Sequence, residues 1–289
     1  MVVSNTNAFE KAVRLLPERL RKPLLFLPTE MQEAVEELRL RCGGTVSLTV
    51  SGGALESEEI VTAEDIRETL DRASQYSFHT VQESMKQGFM TARGGFRIGL
   101  GGSVSMERGQ VQGFRTISSL CIRIPRCVEC VTDRMFGRLR DRDVLICSPP
   151  GAGKTTFLRE LIRRISESGK RVSLVDERGE LAAMLDGIPQ LDVGRNTDVL
   201  EFCPKAEAAE LMLRVMNPQV LAMDELTQRE LGILEKLRAS GVQVIASAHA
   251  ESRKDLTVKG IDPAAFDYLV HIRLENGMRS YSLEEAAVC

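Results

Sequence analysis

Apolar and polar positions change their rhythm along the chain. Phe9, Val13 and Leu16 recur at helical spacing, and Met31, Val35 and Leu38 repeat it after Pro28, so residues 8–40 are predicted to be helical. TVSLTV (45–50) is strand-like, and Gly52-Gly53 ends it. Residues 62–78 predict another helix, with Thr62 as N-cap and Glu64 and Asp65 in the first turn. From 88 to 124 the pattern becomes alternating and glycine-rich. Glu107-Arg108-Gly109 separates two apolar runs there, which predicts a hairpin-rich sheet. Pro125 to about Arg140 reads as a boundary.

Beyond Asp143, short apolar runs alternate with helical stretches. VLIC (144–147), RVSLVD (171–176), QVLAMDE (219–225), VQVIASAH (242–249) and DYLVHIRL (267–274) read as strands. Thr155 to Ser166 and Ala206 to Met216 read as helices, the second with Leu211 and Val215 on one side. Unbroken apolar strands between helices predict a parallel sheet covered on both faces. The expectation is an α/β chain: a smaller α+β N-terminal domain over 1–135, then a parallel-sheet domain over 140–289.

Composition narrows the function classes. A hydrophobic content of 43% over 289 residues suffices for two cores. Lys and Arg total 38 against 41 Asp and Glu, and there is no Trp, so neither global charge nor aromatic platforms favour a nucleic-acid partner. No run approaches ~18 apolar residues and the start lacks a signal-peptide core, which predicts a cytoplasmic protein. The basic opening, Lys11, Arg14, Arg19, Arg21 and Lys22, reads as a solvated helix face, with a peripheral membrane or partner contact as the alternative. Seven cysteines show no disulfide framework. Cys127-x-x-Cys130 lacks the further ligands of a zinc site, so no zinc is expected.

The strongest chemical signal is SPPGAGKTT, Ser148 to Thr156, between an apolar strand and a helix. It matches a P-loop, except that Ser148 stands in the first glycine place. Pro150, Gly151, Ala152, Gly153, Lys154, Thr155 and Thr156 are expected to cradle the phosphates of ATP with inward-facing N–H groups at a helix start. Lys154 would neutralise β/γ-phosphate charge and Thr155 would coordinate Mg²⁺. Asp224 and Glu225 end an apolar strand, as a Walker B pair does. Asp224 is expected on Mg²⁺ and Glu225 as the base that polarises water. Ser247 and His249 lie where the next strand ends, so His249 is either a γ-phosphate sensor or a histidine at the core rim. Asp176, Glu177 and Glu180 leave the second strand together, either to orient water and metal or as an ordinary charged loop. The predicted catalytic set is therefore Glu225 with Asp176, Glu177, Glu180 and His249.

The order SPPGAGKTTFLRELIR, VSLVDERGELA, DVGRNTDVLEFCPKAE, VLAMDEL, VIASAHA resembles the stage III sporulation protein AA family, across roughly residues 88–275. The segments GGFRIGL and ISSLCIRI before the P-loop belong to the match. That family sits with the ring-forming traffic ATPases of type II secretion and type IV pili. The resemblance implies a RecA-like P-loop ATPase domain, an acidic box at Asp176, Glu177 and Glu180, and a histidine box at His249. It implies a homo-oligomer, a hexameric ring, acting in the mother cell of an endospore-forming bacterium. There it would sit peripherally on the cytoplasmic face of a membrane complex resembling a secretion apparatus. Three readings follow: a motor energising that complex, a nucleotide-gated scaffold, or a nucleic-acid translocase. Glu225 favours the motor, because a scaffold needs no base beside Mg²⁺. Arg93, Arg97, Arg115, Arg123, Arg178 and Arg195 are candidates to act in trans. Arg93 and Arg97 are preferred because they flank Gly94-Gly95, where a neighbouring subunit's backbone could come close; the alternative is a small folded domain that only makes partner contacts.

Overall fold

A computed structural model describes residues 5–50, 53–75, 85–125, 132–275 and 278–286. The chain forms two compact units, Met1–Cys127 with Ala183–Leu191, and Val128–Ala182 with Asp192–Cys289.

The first unit opens with helices Asn5–Val13, Glu18–Leu25 and Thr29–Ala34. The predicted helix does not continue through Val35 and Leu38. Those residues lie in β1 (Val35–Arg41), where Leu38 and Leu40 alternate with Glu37 and Arg39 and are fully buried. Period two won over helical spacing because β1 pairs on both edges, a long-range gain that a local window does not register. β2 (Thr45–Val50) and β3 (Gly53–Ile60) follow, the latter a largely polar strand that was not foreseen. Helix Ala63–Ala73 begins as expected, with a capping box between Thr62 and Asp65, but ends at Ala73. β4 (Phe89–Ala92), β5 (Phe96–Glu107) and β6 (Gln110–Arg123) form the expected glycine-rich hairpins. The β5–β6 turn uses Arg108 and Gly109, both at positive φ (49° and 80°), as a two-residue hairpin turn requires. The six strands make an antiparallel sheet in the order β3-β2-β1-β6-β5-β4, and Phe9, Leu16, Leu20, Ile98 and Ile122 lie in its core.

The second unit carries helix Asp133–Leu139, β7 (Val144–Ser148), helix Lys154–Glu167 and β8 (Val172–Asp176). The chain then forms a short hairpin, β9 (Met184–Leu185) and β10 (Ile188–Pro189), whose residues belong to the first unit. There the Gly94 N–H donates to the Gln190 side-chain oxygen (3.0 Å), and a Cβ on Gly95 would meet Leu191 at 2.5 Å. The close approach at Gly94-Gly95 is therefore made by this chain's own 190–191 segment, which removes the reason for assigning it to a neighbouring subunit. Back in the second unit follow β11 (Thr197–Glu201), helix Lys205–Met216, β12 (Val220–Met223), helix Leu231–Ala239, β13 (Gln243–His249), helix Arg253–Val258, β14 (Tyr268–Glu275) and β15 (Met278–Glu285). They build one sheet in the order β11-β8-β12-β13-β7-β14-β15, parallel except for β15 on β14. Every residue of β7, β8 and β12 is buried, as strands covered on both faces must be. Helix Lys205–Met216 corrects one expectation. Leu211 and Val215 are exposed, and the helix packs its small face, Ala208 and Ala209 with Met212, which lets it sit close to the sheet.

Candidate nucleotide site

β7 delivers the chain at Ser148 to the loop that starts helix Lys154–Glu167. Gly151 (φ 76°) and Gly153 (φ 104°) take left-handed conformations there, which turn the loop back over the helix N-terminus. Ser148 is buried, and its hydroxyl donates to the Pro149 carbonyl (2.9 Å), so the departure from glycine is satisfied locally. Lys154 is only 6% exposed. Thr155 Oγ1 donates to Asp224 Oδ2 at 2.8 Å. Lys154 Nζ lies 3.9 Å from Asp224 Oδ1 and 3.8 Å from Glu225 Oε1. β12 and β7 both flank β13 in the parallel sheet, so their C-terminal ends bring the loop and the two carboxylates to one edge.

Glu225 sits at φ 51°, uncommon for a residue with a side chain. Ser247 holds that turn: its hydroxyl accepts the Glu225 N–H (3.1 Å) and donates to Asp224 Oδ1, and its carbonyl accepts the Leu226 N–H (2.6 Å). Glu225 Oε1 meets His249 Nε2 at 3.0 Å, and Oε2 meets Arg178 Nη1 at 3.0 Å. His249 thus presents Nε2 to Glu225, while its Nδ1 is buried.

The acidic residues after β8 behave differently from one another. Asp176 is 2% exposed, and its carboxylate accepts the N–H groups of Glu180 (2.9 Å), Leu181 (3.0 Å) and Ala182 (2.9 Å). Burial raises its pKa, the three backbone N–H groups oppose the rise, and the nearby Asp224 adds to it. Those three hydrogen bonds tie the carboxylate to the turn that follows β8. Glu177 is held by Lys205 Nζ at 2.7 Å. Asp176, Glu177 and Glu180 line a narrow cleft with Arg178, Lys205, Asp224 and Glu225. Beside Asp176 on the neighbouring strand, Glu201 is pushed up to about 7, mainly by burial and then by Asp176.

Two contributors were not foreseen. Lys205 lies in the CPKAE run, whose spacing gave no hint of its partner. Arg279, on the unforeseen β15, donates from Nε to the Ala152 carbonyl in the loop (2.9 Å). Of the N-terminal arginines, Arg97 stacks on Phe89 (3.7 Å to the ring centre) and Arg123 pairs with Glu37 (3.4 Å). Among the described residues, no group of three or more His, Cys, Asp or Glu side chains could hold a metal ion. Cys127 and Cys130 lie outside the described residues. No described helix is long and apolar enough to cross a membrane.

Comparison with known proteins fits this geometry. The family model "Sporulation stage III, protein AA" matches residues 7–275. Stage III sporulation protein AA of Bacillus subtilis (strain 168) is 41% identical over 253 residues, covering 84% of this chain and 82% of that protein. Among solved structures, the pilus retraction motor PilT with bound ADP superposes with a TM-score of 0.59 at 14% identity, covering 90% of this chain and 82% of that one. The ATPase DotB of Legionella pneumophila gives 0.55 at 12% identity, covering 89% and 80%. At such identities the likeness speaks for the fold: a RecA-like α/β sheet preceded by an α+β unit. The ordered motifs, the match over nearly the whole chain and the 41% relative lead to one statement: the chain belongs to the sporulation stage III protein AA family.

Proposed function

We propose that the chain is an Mg²⁺-dependent ATPase, acting as a homo-oligomeric ring of six subunits, that energises a secretion-like membrane complex during endospore formation. The observation that carries the reading is the convergence of Lys154, Thr155, Asp224 and Glu225 within 4 Å contacts. These residues fit MgATP. Thr155 and Asp224 offer the hard oxygen donors that Mg²⁺ takes, and a buried ammonium stands at the start of the phosphate-facing helix. Mg²⁺ held there would neutralise charge on the β- and γ-phosphates. Lys154 and the loop N–H groups would hold the phosphates, Thr155 and Asp224 would hold the metal, and Glu225 would accept the proton of the attacking water. His249 orients Glu225 through the 3.0 Å contact. Asp176 shapes the adjoining turn, while Glu177 and Glu180 set the charge of the cleft. The family and the fold support the motor role and the location at the cytoplasmic face of a membrane complex in the mother cell.

Two measurements test this. Lys154→Ala should abolish binding of a fluorescent ATP analogue with Mg²⁺, and unchanged affinity would sink the site assignment. ATP turnover should rise more than proportionally with protein concentration, because ring assembly completes the sites. Strict proportionality at every concentration would remove the ring from the proposal.

A further inference from the structure

Glu225 is fully engaged in this structure. One carboxylate oxygen is shared by His249 (3.0 Å) and Lys154 (3.8 Å), and the other is taken by Arg178 (3.0 Å). Arg178 reaches it from the turn after β8, which is rigidly set by the three hydrogen bonds to Asp176 and by Gly179 at φ 63°. The adjacent Glu177 is bound by Lys205, so the turn directs one cation at Glu225 and ties its neighbouring acid to another residue. The Arg178 side chain is 62% exposed against 21% for Glu225. It borders both the cleft that contains Asp224 and an open cavity of about 500 Å³ lined also by Lys205, Arg229 and Lys259. An exposed guanidinium has room to move between two anions, and the choice follows charge. A terminal phosphate carries more charge than a carboxylate and accepts two parallel N–H bonds from arginine.

Resting on the nucleotide-site reading, we propose that Arg178 is a positioning residue that reads the γ-phosphate in cis. Without a γ-phosphate it holds Glu225 and blocks the oxygen that would accept a water proton. With ATP bound it turns to the γ-phosphate and leaves Glu225 Oε2 open to water. ADP offers no such partner, so the latch stays on Glu225.

The test compares affinities for a non-hydrolysable ATP analogue and for ADP, with Mg²⁺, in the wild type, Arg178→Gln and Arg178→Lys. The exposure of Arg178 leaves folding intact. Loss of a charge-assisted contact predicts an analogue affinity about 10–100-fold weaker in Arg178→Gln. ADP affinity should stay within about twofold, since a charged contact is lost only to the γ-phosphate. Arg178→Lys should recover part of the discrimination. Equal losses for both nucleotides, or none for either, would overturn the inference while leaving the nucleotide site standing. A wild-type chain that binds neither nucleotide overturns the site reading and this inference with it.

Discussion

Two acidic pairs leave neighbouring strands at the same edge of the sheet, and they are used in opposite ways. After β12, Asp224 and Glu225 face the loop: Asp224 bonds Thr155, and Glu225 lies near Lys154. After β8, Asp176 turns back on its own chain and caps three N–H groups. The residues that follow decide the difference. Asp176 is followed by Glu-Arg-Gly-Glu, whose Gly179 permits a tight turn that presents its amides to the carboxylate. Asp224 is followed by Glu225 and Leu226, whose N–H groups are both taken up by Ser247 on β13. The β12 acids instead meet side chains: Thr155 and Ser247 on Asp224, and His249, Lys154 and Arg178 around Glu225.

Glu225→Gln probes this contrast most severely. The change keeps the shape and one acceptor oxygen and leaves Lys154 and Thr155 untouched, so ATP binding should persist. Turnover should fall ~10²–10⁴-fold, the usual cost of a lost general base. Steady-state hydrolysis and analogue binding measured on one preparation check both halves. Wild-type turnover would move the base to Glu177 or Glu180 and erase the distinction between the two pairs.

Asp176→Asn probes the other side. Even with the amide oxygen turned to the Leu181 and Ala182 N–H groups, the NH2 opposes the Glu180 N–H, so urea unfolding should show about 1–3 kcal/mol of lost stability. ATP analogue affinity should change far less. If turnover collapsed while stability held, Asp176 would belong with Asp224 as a ligand of the reacting groups.

The sequence made the β12 side legible and left the β8 side open, for a physical reason. The loop is local: nine consecutive residues carry the glycines, the lysine and the hydroxyl, so spacing alone singles out Lys154 and Thr155, which the fold brings to Asp224. Asp176 could be read either as a catalytic acid or as part of a charged loop, because its partners are backbone amides, which look alike in every sequence. Arg178 and Arg279 find their partners across the fold, and β15 was not foreseen. The fold shows the same division. The fully apolar β7, β8 and β12 announced themselves, whereas β3 and β11 are partly exposed edge strands with acidic residues. Residues 35–40 carry a local helical spacing, whereas the pairing of β1 with β2 and β6 that makes them a strand is non-local.

The smallest expected effect lies at Glu201, which sits opposite Asp176 in the β11–β8 register and has one buried oxygen without a hydrogen-bond partner among the described residues. Its pKa of about 7 in the folded chain stands above the ordinary 4.5. Between those values the folded chain binds the proton that the unfolded chain releases. Its contribution to stability is therefore complete below pH 4.5, declines as pH rises toward 7, and is lost above it. Glu201→Gln removes the ionisation. Because the group is half screened by solvent, the variant should gain only about 1 kcal/mol over wild type at pH 8, and close to nothing at pH 5. Urea unfolding at both pH values measures the difference directly. If the two proteins lose stability in parallel between pH 5 and 8, Glu201 is already ionised in the folded chain. The acidic end of β8 and β11 would then be as open to solvent and ligands as that of β12.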